Sequence, residues 1–286
     1  MTRILLTGIN GQVGWELQRC LQPLGEIIAC DRAGLDLADP DRLRAVVREV
    51  KPAIIVNPAA YTAVDKAESE TEQAMALNAT APGILAEEAR RLDALFVHYS
   101  TDYVFAGTGT TPYGETDATG PTNVYGKSKL AGEQAIQAVG CRHLILRTSW
   151  VYGRRGANFL RTMLRLAAER DELSVVDDQF GAPTWSRMIA QTTALLLARH
   201  HGQTGLYHFV AGGETTWHGF AEAIVDLAAQ RGLIDKTIPV RRIASAEFPT
   251  PATRPANSRL DCQRLANDFG LRQPDWLDQL KLCLAE

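Results

Sequence analysis

The sequence has little that would stabilise it from outside a hydrophobic core or direct it to an unusual partner. Its five cysteines, Cys20, Cys30, Cys141, Cys262 and Cys283, are scattered and odd in number over 286 residues. That excludes a disulfide framework, and no pair has the spacing of a metal knuckle. No apolar run reaches membrane-spanning length, and an apolar strand starts by residue 3, so neither a spanning helix nor a signal peptide is expected. Positive charge is not in excess: 30 Lys and Arg face 33 Asp and Glu, a formal net charge of -3. Nucleic acid would find no electrostatic footing. Repeats, low-complexity tracts and a clear linker are all missing. What remains is an ordinary globular composition, 45% hydrophobic and 22% charged. The chain is long enough for one large domain or two small ones, expected in a reducing cytosol.

The informative stretch is the N-terminus. Arg3 to Thr7 is a short, mostly apolar strand. Gly8, Gly11 and Gly14 follow at a spacing of three, with Asn10, Gln12 and Val13 between them. Val13, Leu17, Leu21 and Leu24 then recur at helical spacing. Strand, glycine turn and helix make a phosphate cradle, in which helix N–H groups meet a pyrophosphate. Ile27–Cys30 is expected as a second strand. Asp31 at its end can accept hydrogen bonds from an adenosine ribose, or simply cap a turn, while Arg32 could grip the 2′-phosphate of NADP. Leu35–Leu37 is expected as a brief third strand, and Asp39-Pro40 opens a helix.

Ala53–Asn57 is apolar throughout, as suits a parallel strand covered on both faces. Asn57-Pro58-Ala59-Ala60-Tyr61 follows at its C-terminal end. Residues 63–92 are helical overall, with Asn78 set among small residues, either supporting the neighbouring site or satisfying local backbone. Leu95–Ser100 and His143–Arg147 are further strands. The alternating order predicts an α/β fold: a Rossmann-type doubly wound parallel sheet over residues 1–155 carrying the catalytic residues. Residues 156–286 are expected as a smaller mixed α/β part, mainly substrate-binding, packed directly on the first and open to interleaving with it.

Tyr125 and Lys129 lie four apart at the start of a helix and so share one face. A neighbouring ammonium lowers the pKa of a phenol from its usual value of about 10, which would fit Tyr125 for acid–base work near neutral pH. Thr101, at the end of a strand, supplies a hydroxyl that could hold the reacting oxygen.

Together these stretches resemble the dTDP-4-dehydrorhamnose reductase family, within the extended short-chain dehydrogenase/reductase superfamily. The matching segments are Gly8–Gly14, Asn57–Asp65, Ser100–Phe105, Tyr125–Lys129, Arg147–Gly153, Asp177–Thr184 and Arg254–Leu260, which sample nearly the whole length. The resemblance implies reduction by NADPH or NADH of the C4 ketone of dTDP-4-dehydro-β-L-rhamnose, with Tyr125 as general acid, Lys129 on the nicotinamide ribose and Thr101 on the reacting oxygen. It implies that Gly8, Gly11 and Gly14 cradle the pyrophosphate and that Asp31 and Arg32 lie at the adenosine ribose. Asp36 and Leu37 would border the adenine, and Ala59, Ala60 and Tyr61 would flank the dinucleotide. Asp102, Tyr103 and Trp150 are the expected walls of the sugar pocket, with Arg254 a pyrophosphate partner for the substrate.

The related 4,6-dehydratases carry Asp-Glu after the threonine. Here Asp102 is followed by Tyr103, which counts against elimination. An epimerase shares the same three residues, and a non-catalytic dinucleotide-binding subunit is the reading from another class. Some members of the family dimerise with magnesium between carboxylates. Glu16 could take part, but no acidic match stands near Arg187, so no metal is expected to be required. A homodimer is an expectation of the resemblance alone.

Overall fold

The structure is a computed structural model that describes residues 1–286. Strands β1 (Arg3–Leu6), β2 (Glu26–Ala29), β3 (Ile54–Asn57), β4 (Leu95–Thr101) and β5 (His143–Thr148) alternate with helices. These are α1 (Gln12–Cys20), α2 (Pro40–Val50), α3 (Val64–Ala67), α4 (Thr71–Met75), α5 (Ala81–Leu92) and α6 (Val124–Val139). The chain continues through β6 (Val151–Tyr152), α7 (Phe159–Glu169), β7 (Leu173–Val176), β8 (Phe180–Gly181), β9 (Thr184–Trp185), α8 (Ser186–Ala198) and β10 (Gly205–His208). It closes with β11 (Thr215–Thr216), α9 (Trp217–Gln230), β12 (Val240–Ile243), α10 (Gln263–Phe269) and α11 (Trp276–Ala285).

One six-stranded sheet runs in the order β10-β5-β4-β3-β1-β2, every pairing parallel. Side chains alternate across it. Leu6, Val97, Leu144 and Leu146 face Leu17 of α1 and Leu21 just past its end, Ile189 and Leu196 of α8, and Leu265 and Phe269 of α10. Leu5, Ile55, Phe96 and Ile145 face Leu43 and Val47 of α2, Leu85 and Ala89 of α5, and Ile136 of α6. Burial on both faces explains why these strands are apolar without alternation. The chain leaves β1 for β2 on one side and returns to β3 on the other. The ends of β1 and β3 therefore flank the crevice where ligands of such sheets bind.

The second half does not stay apart. Strand β10 extends the large sheet beside β5, and α8 and α10 cover one of its faces. The remaining elements build a smaller body, in which Tyr152, Leu160, Trp185, Phe220, Ile224 and Leu280 form the core. Three two-stranded pairings, β11-β8, β12-β7 and β6-β9, complete it.

One expectation needs correction. Residues 35–37 form no strand. They lie in a turn between Asp31 and Pro40, where Leu35 and Leu37 plug into the core under α2. Two inward leucines flanking an outward Asp36 mimic strand alternation without any partner strand to pair with. The span 63–92 is helical overall, as expected: α3, then α4, a π-helical turn Ala76–Thr80 and α5 running without a break from 71 to 92. Pro82 has no N–H to donate to the carbonyl four residues back, and the wider π turn lies just before it.

Candidate active site

The glycine turn has the geometry of an anion cradle. Gly8 sits at φ +60, and a Cβ there would come within 2.8 Å of the Ala59 Cβ, so only glycine lets β1 turn this closely past the loop after β3. A Cβ at Gly14 would lie 2.2 Å from the Gly8 carbonyl oxygen. At Gly11 it would meet only that same oxygen, at 3.2 Å, so the space beside Gly11 is open. No side chain caps α1. The first backbone bond into the helix is Trp15 N–H to Gly11 O, which leaves the N–H groups of Gln12, Val13 and Gly14 for a ligand. Asn10 is exposed. Gln12 accepts a bond from Asn158 Nδ2 at 2.9 Å, which ties the turn to the loop before α7. These observations fit a dinucleotide pyrophosphate.

Of the residues expected at the adenosine, Asp31 accepts from Gly34 N–H at 2.9 Å and so caps the turn after β2. Asp36 accepts from Ala38 N–H at 2.9 Å and stands 3.7 Å from the largely exposed Arg32 guanidinium. Leu37 gives its side chain to the core, so only its backbone is left to border a ligand. An exposed, weakly paired arginine beside the ribose position can exchange its carboxylate for a phosphate. Replacing Arg32 with Ala is expected to weaken NADPH roughly three- to tenfold, the size of one solvent-screened charged contact, and to leave NADH unchanged. Parallel fluorescence titrations with the two dinucleotides check this.

Ala59 and Ala60 are half-buried small residues after β3. Tyr61 turns its phenol away, donating to Glu70 at 2.6 Å; that bond, with burial, pushes it up to about 12. Asn78 fixes this loop. Its Oδ1 accepts from Tyr61 N–H at 2.8 Å, and its Nδ2 donates to Tyr61 O and to Ser128 Oγ on α6, both at 3.0 Å.

Helix α6 begins at an Asn123 cap, whose side chain accepts from Gly126 N–H at 2.8 Å and donates to Thr253 O at 2.8 Å. Its first turn lies against the turn after β4: a Cβ on Gly126 would fall 2.2 Å from the Tyr103 carbonyl oxygen. That approach brings Tyr125 beside Tyr103, ring centroids 5.5 Å apart and edge to face, and beside Thr101. The Thr101 hydroxyl donates to Asp102 Oδ1 at 3.0 Å. Burial pushes the Asp102 carboxyl up to about 6, against the pull of the Ser258 and Thr101 hydroxyls.

The expected lowering of the Tyr125 pKa does not hold in the ligand-free chain. Burial pushes it up to about 12, with the Thr101 hydroxyl pulling it back and the Asp102 charge adding to the rise. The reason is where Lys129 points. Its amine, fully buried, donates to Tyr99 O at 2.6 Å and lies 3.1 Å from His98 Nε2. Burial lowers Lys129 itself to about 8, while the Glu133 charge holds it up. Sequence spacing placed tyrosine and lysine on one face but did not show that β4 would take the lysine's donors.

Trp150, at φ +48, stacks on Trp217 with centroids 3.7 Å apart and planes 10° apart. Arg254 donates to Asp65 Oδ2 at 2.8 Å and to Ala252 O at 3.2 Å. Its charge is also felt at Tyr103, so it stands at the same mouth as Tyr125. Trp217, Asp65 and His98 were not singled out from the sequence. A histidine inside an otherwise apolar buried strand was the one available signal for His98. Trp217 and Asp65 come near only through tertiary packing. No group of three or more His, Cys, Asp or Glu side chains that could hold a metal is present, and Arg187 pairs with the side chain of Glu286. No helix is long and apolar enough to cross a membrane.

A doubly wound nucleotide-binding sheet with a threonine ending β4 and a tyrosine–lysine pair on the next helix defines an extended short-chain dehydrogenase/reductase. Within that class the chain belongs to the dTDP-4-dehydrorhamnose reductase family. The family model described as RmlD substrate binding domain matches residues 1–286. The chain is 50% identical over 290 residues to the dTDP-4-dehydrorhamnose reductase of Salmonella typhimurium, covering 99% of this chain and 97% of that one. It is 49% identical to the enzyme of Shigella flexneri, again over 99% and 97%. Among solved structures, that of the Bacillus anthracis dTDP-4-dehydrorhamnose reductase in complex with NADP superposes with a TM-score of 0.93 at 36% identity, covering 100% of this chain and 99% of that one.

Proposed function

We propose that this chain reduces the C4 ketone of dTDP-4-dehydro-β-L-rhamnose to give dTDP-β-L-rhamnose, the final step of dTDP-L-rhamnose synthesis, using NADPH or NADH. The observation that supports it best is the convergence of Thr101, Tyr125 and Lys129 beside a phosphate cradle in a full-length family member. Gly8, Gly11 and Gly14, with the N–H groups of Gln12 and Val13, hold the pyrophosphate. Asp31 and Arg32 take the adenosine ribose. NAD(P)H, when bound, supplies the hydride.

Tyr125 donates its proton to the ketone oxygen as negative charge grows there. Thr101 turns its hydroxyl from Asp102 to the same oxygen and stabilises the charge by hydrogen bonding. Lys129 keeps one N–H free of the protein and offers it to the nicotinamide ribose. Asp102, Tyr103 and Trp150 wall the sugar pocket and exclude water. Arg254, steadied by Asp65, presents positive charge to the substrate pyrophosphate. Incubation with the 4-keto sugar nucleotide is expected to consume one NAD(P)H per dTDP-rhamnose formed, followed by absorbance and by NMR of the product. Epimerised product without net NAD(P)H consumption would point to an epimerase, and dinucleotide binding without turnover to a non-catalytic subunit.

A further inference from the structure

Four buried polar side chains cross the large sheet in a row. Thr7 Oγ1 lies 2.6 Å from Asn57 Oδ1, Asn57 Nδ2 lies 3.2 Å from His98 Nδ1, and His98 Nε2 lies 3.1 Å from Lys129 Nζ. Thr7, Asn57, His98 and Lys129 are each 2% exposed or less, so no water competes for these contacts. The row follows from strand register: Thr7 directly follows β1, Asn57 ends β3, and Asn57 pairs with His98 on β4.

We propose that His98 is a positioning residue for Lys129: its Nε2 lone pair holds the ammonium, and its Nδ1–H is anchored on Asn57. The inference rests on Lys129 acting in the reaction. An ammonium has three donors and no acceptor. Tyr99 O takes one donor, and the only other partner is His98 Nε2, which must therefore accept. A neutral imidazole that accepts at Nε2 carries its proton on Nδ1. Nδ1–H then donates to Asn57, where the side-chain amide 3.2 Å away and the backbone acceptor beside it face the ring. With the amide oxygen toward Nδ1, the Thr7 hydroxyl accepts from Asn57 Nδ2.

The ring stays neutral throughout. Burial and the Lys129 charge both push its pKa well below the usual histidine value. The Lys129 amine is in contact with His98 on β4 and feels the charge of Glu133 on its own helix, which is engaged by Arg147 on β5. With its acceptor in place, Lys129 aims its third N–H out of the sheet toward the mouth of the site. Without it, a buried ammonium loses one of two protein acceptors and gives up its proton more readily.

Nitrogen-15 NMR of the imidazoles in the wild-type, ligand-free protein tests this without reference to activity or to a variant's folding. His98, assigned by the signal lost in His98→Gln, is expected as the Nδ1-protonated neutral tautomer at pH 7. An Nε2-protonated ring would overturn the proposal. In pH–rate profiles, His98→Leu is expected to move the basic limb of kcat/KM down by about one pH unit, the size of one lost charged hydrogen bond, with NADPH affinity within about threefold of wild type. His98→Gln, whose amide oxygen can reach the Nε2 position, is expected to restore the limb. A wild-type limb in His98→Leu, or no restoration by His98→Gln, would overturn it, since a purely structural role lowers the rate equally at every pH. Absence of turnover in the wild type would instead count against the proposed function, and the tautomer would still decide this proposal.

Discussion

Tyr125→Phe is expected to lower kcat by about 10²- to 10⁴-fold, the range for loss of a positioned proton donor, while NADPH binding changes by no more than about twofold. The ring stays against Tyr103, so the pocket keeps its shape and only the proton is lost. The pH behaviour separates this role from a generic polar contact. With the phenol near 12 in the ligand-free chain, Tyr125 is fully protonated across the neutral range, as a proton donor for ketone reduction should be. The basic limb of the wild-type profile therefore belongs to Lys129, at about 8: below that pH the ammonium is present, and above it the charge is lost. Kcat and kcat/KM should fall together in Tyr125→Phe, because the donated proton stabilises only the transition state. Thr101→Val removes the second donor to the same oxygen and is expected to cost about 10²-fold. Steady-state kinetics with fluorescence titration of NADPH measure both. A Tyr125→Phe protein within tenfold of wild-type turnover would remove the phenol from the chemistry.

The parts of this molecule legible in its sequence are the local ones. The glycine turn between β1 and α1 is contiguous, and the helix start at Pro40 announces itself through its capping residue Asp39. Tyr125 and Lys129 are separated by one helical turn. What the sequence hid depends on partners distant along the chain. Leu35 and Leu37 alternate like a strand, yet core burial explains them without one. Strand β10 lies in the second half of the chain, and only its pairing with β5 places it in the large sheet. The Tyr125–Lys129 spacing gave the shared face but not the charge effect, because it carries no information on where a buried amine finds acceptors. His98 and Tyr99, 31 and 30 residues before Lys129 in the chain, decide that.

Replacing Arg147 with Met is expected to destabilise the fold by about 3–5 kcal/mol, the cost of leaving a buried charge without its partner. Arg147 on β5 grips Glu133 on α6 with two hydrogen bonds, Nε to Oε1 at 2.9 Å and Nη2 to Oε2 at 2.6 Å. Both side chains are almost fully buried, at 4% and 2% exposure. The same guanidinium lies over the Phe105 ring, 4.9 Å from its centre. The pair thus fastens the helix that carries Tyr125 and Lys129 to the sheet. Urea unfolding at pH 8 measures the loss. Joining Glu133→Leu to Arg147→Met removes the stranded charge and is expected to recover most of the stability, because replacing both partners of a buried pair with apolar groups is often neutral. Activity need not recover with it, since an apolar contact holds α6 to β5 without fixing its angle, and Tyr125 works only if that angle keeps it beside Thr101. A single variant as stable as wild type at pH 8 would show that the packing of α6 on the sheet, and not this ion pair, sets the position of the catalytic helix.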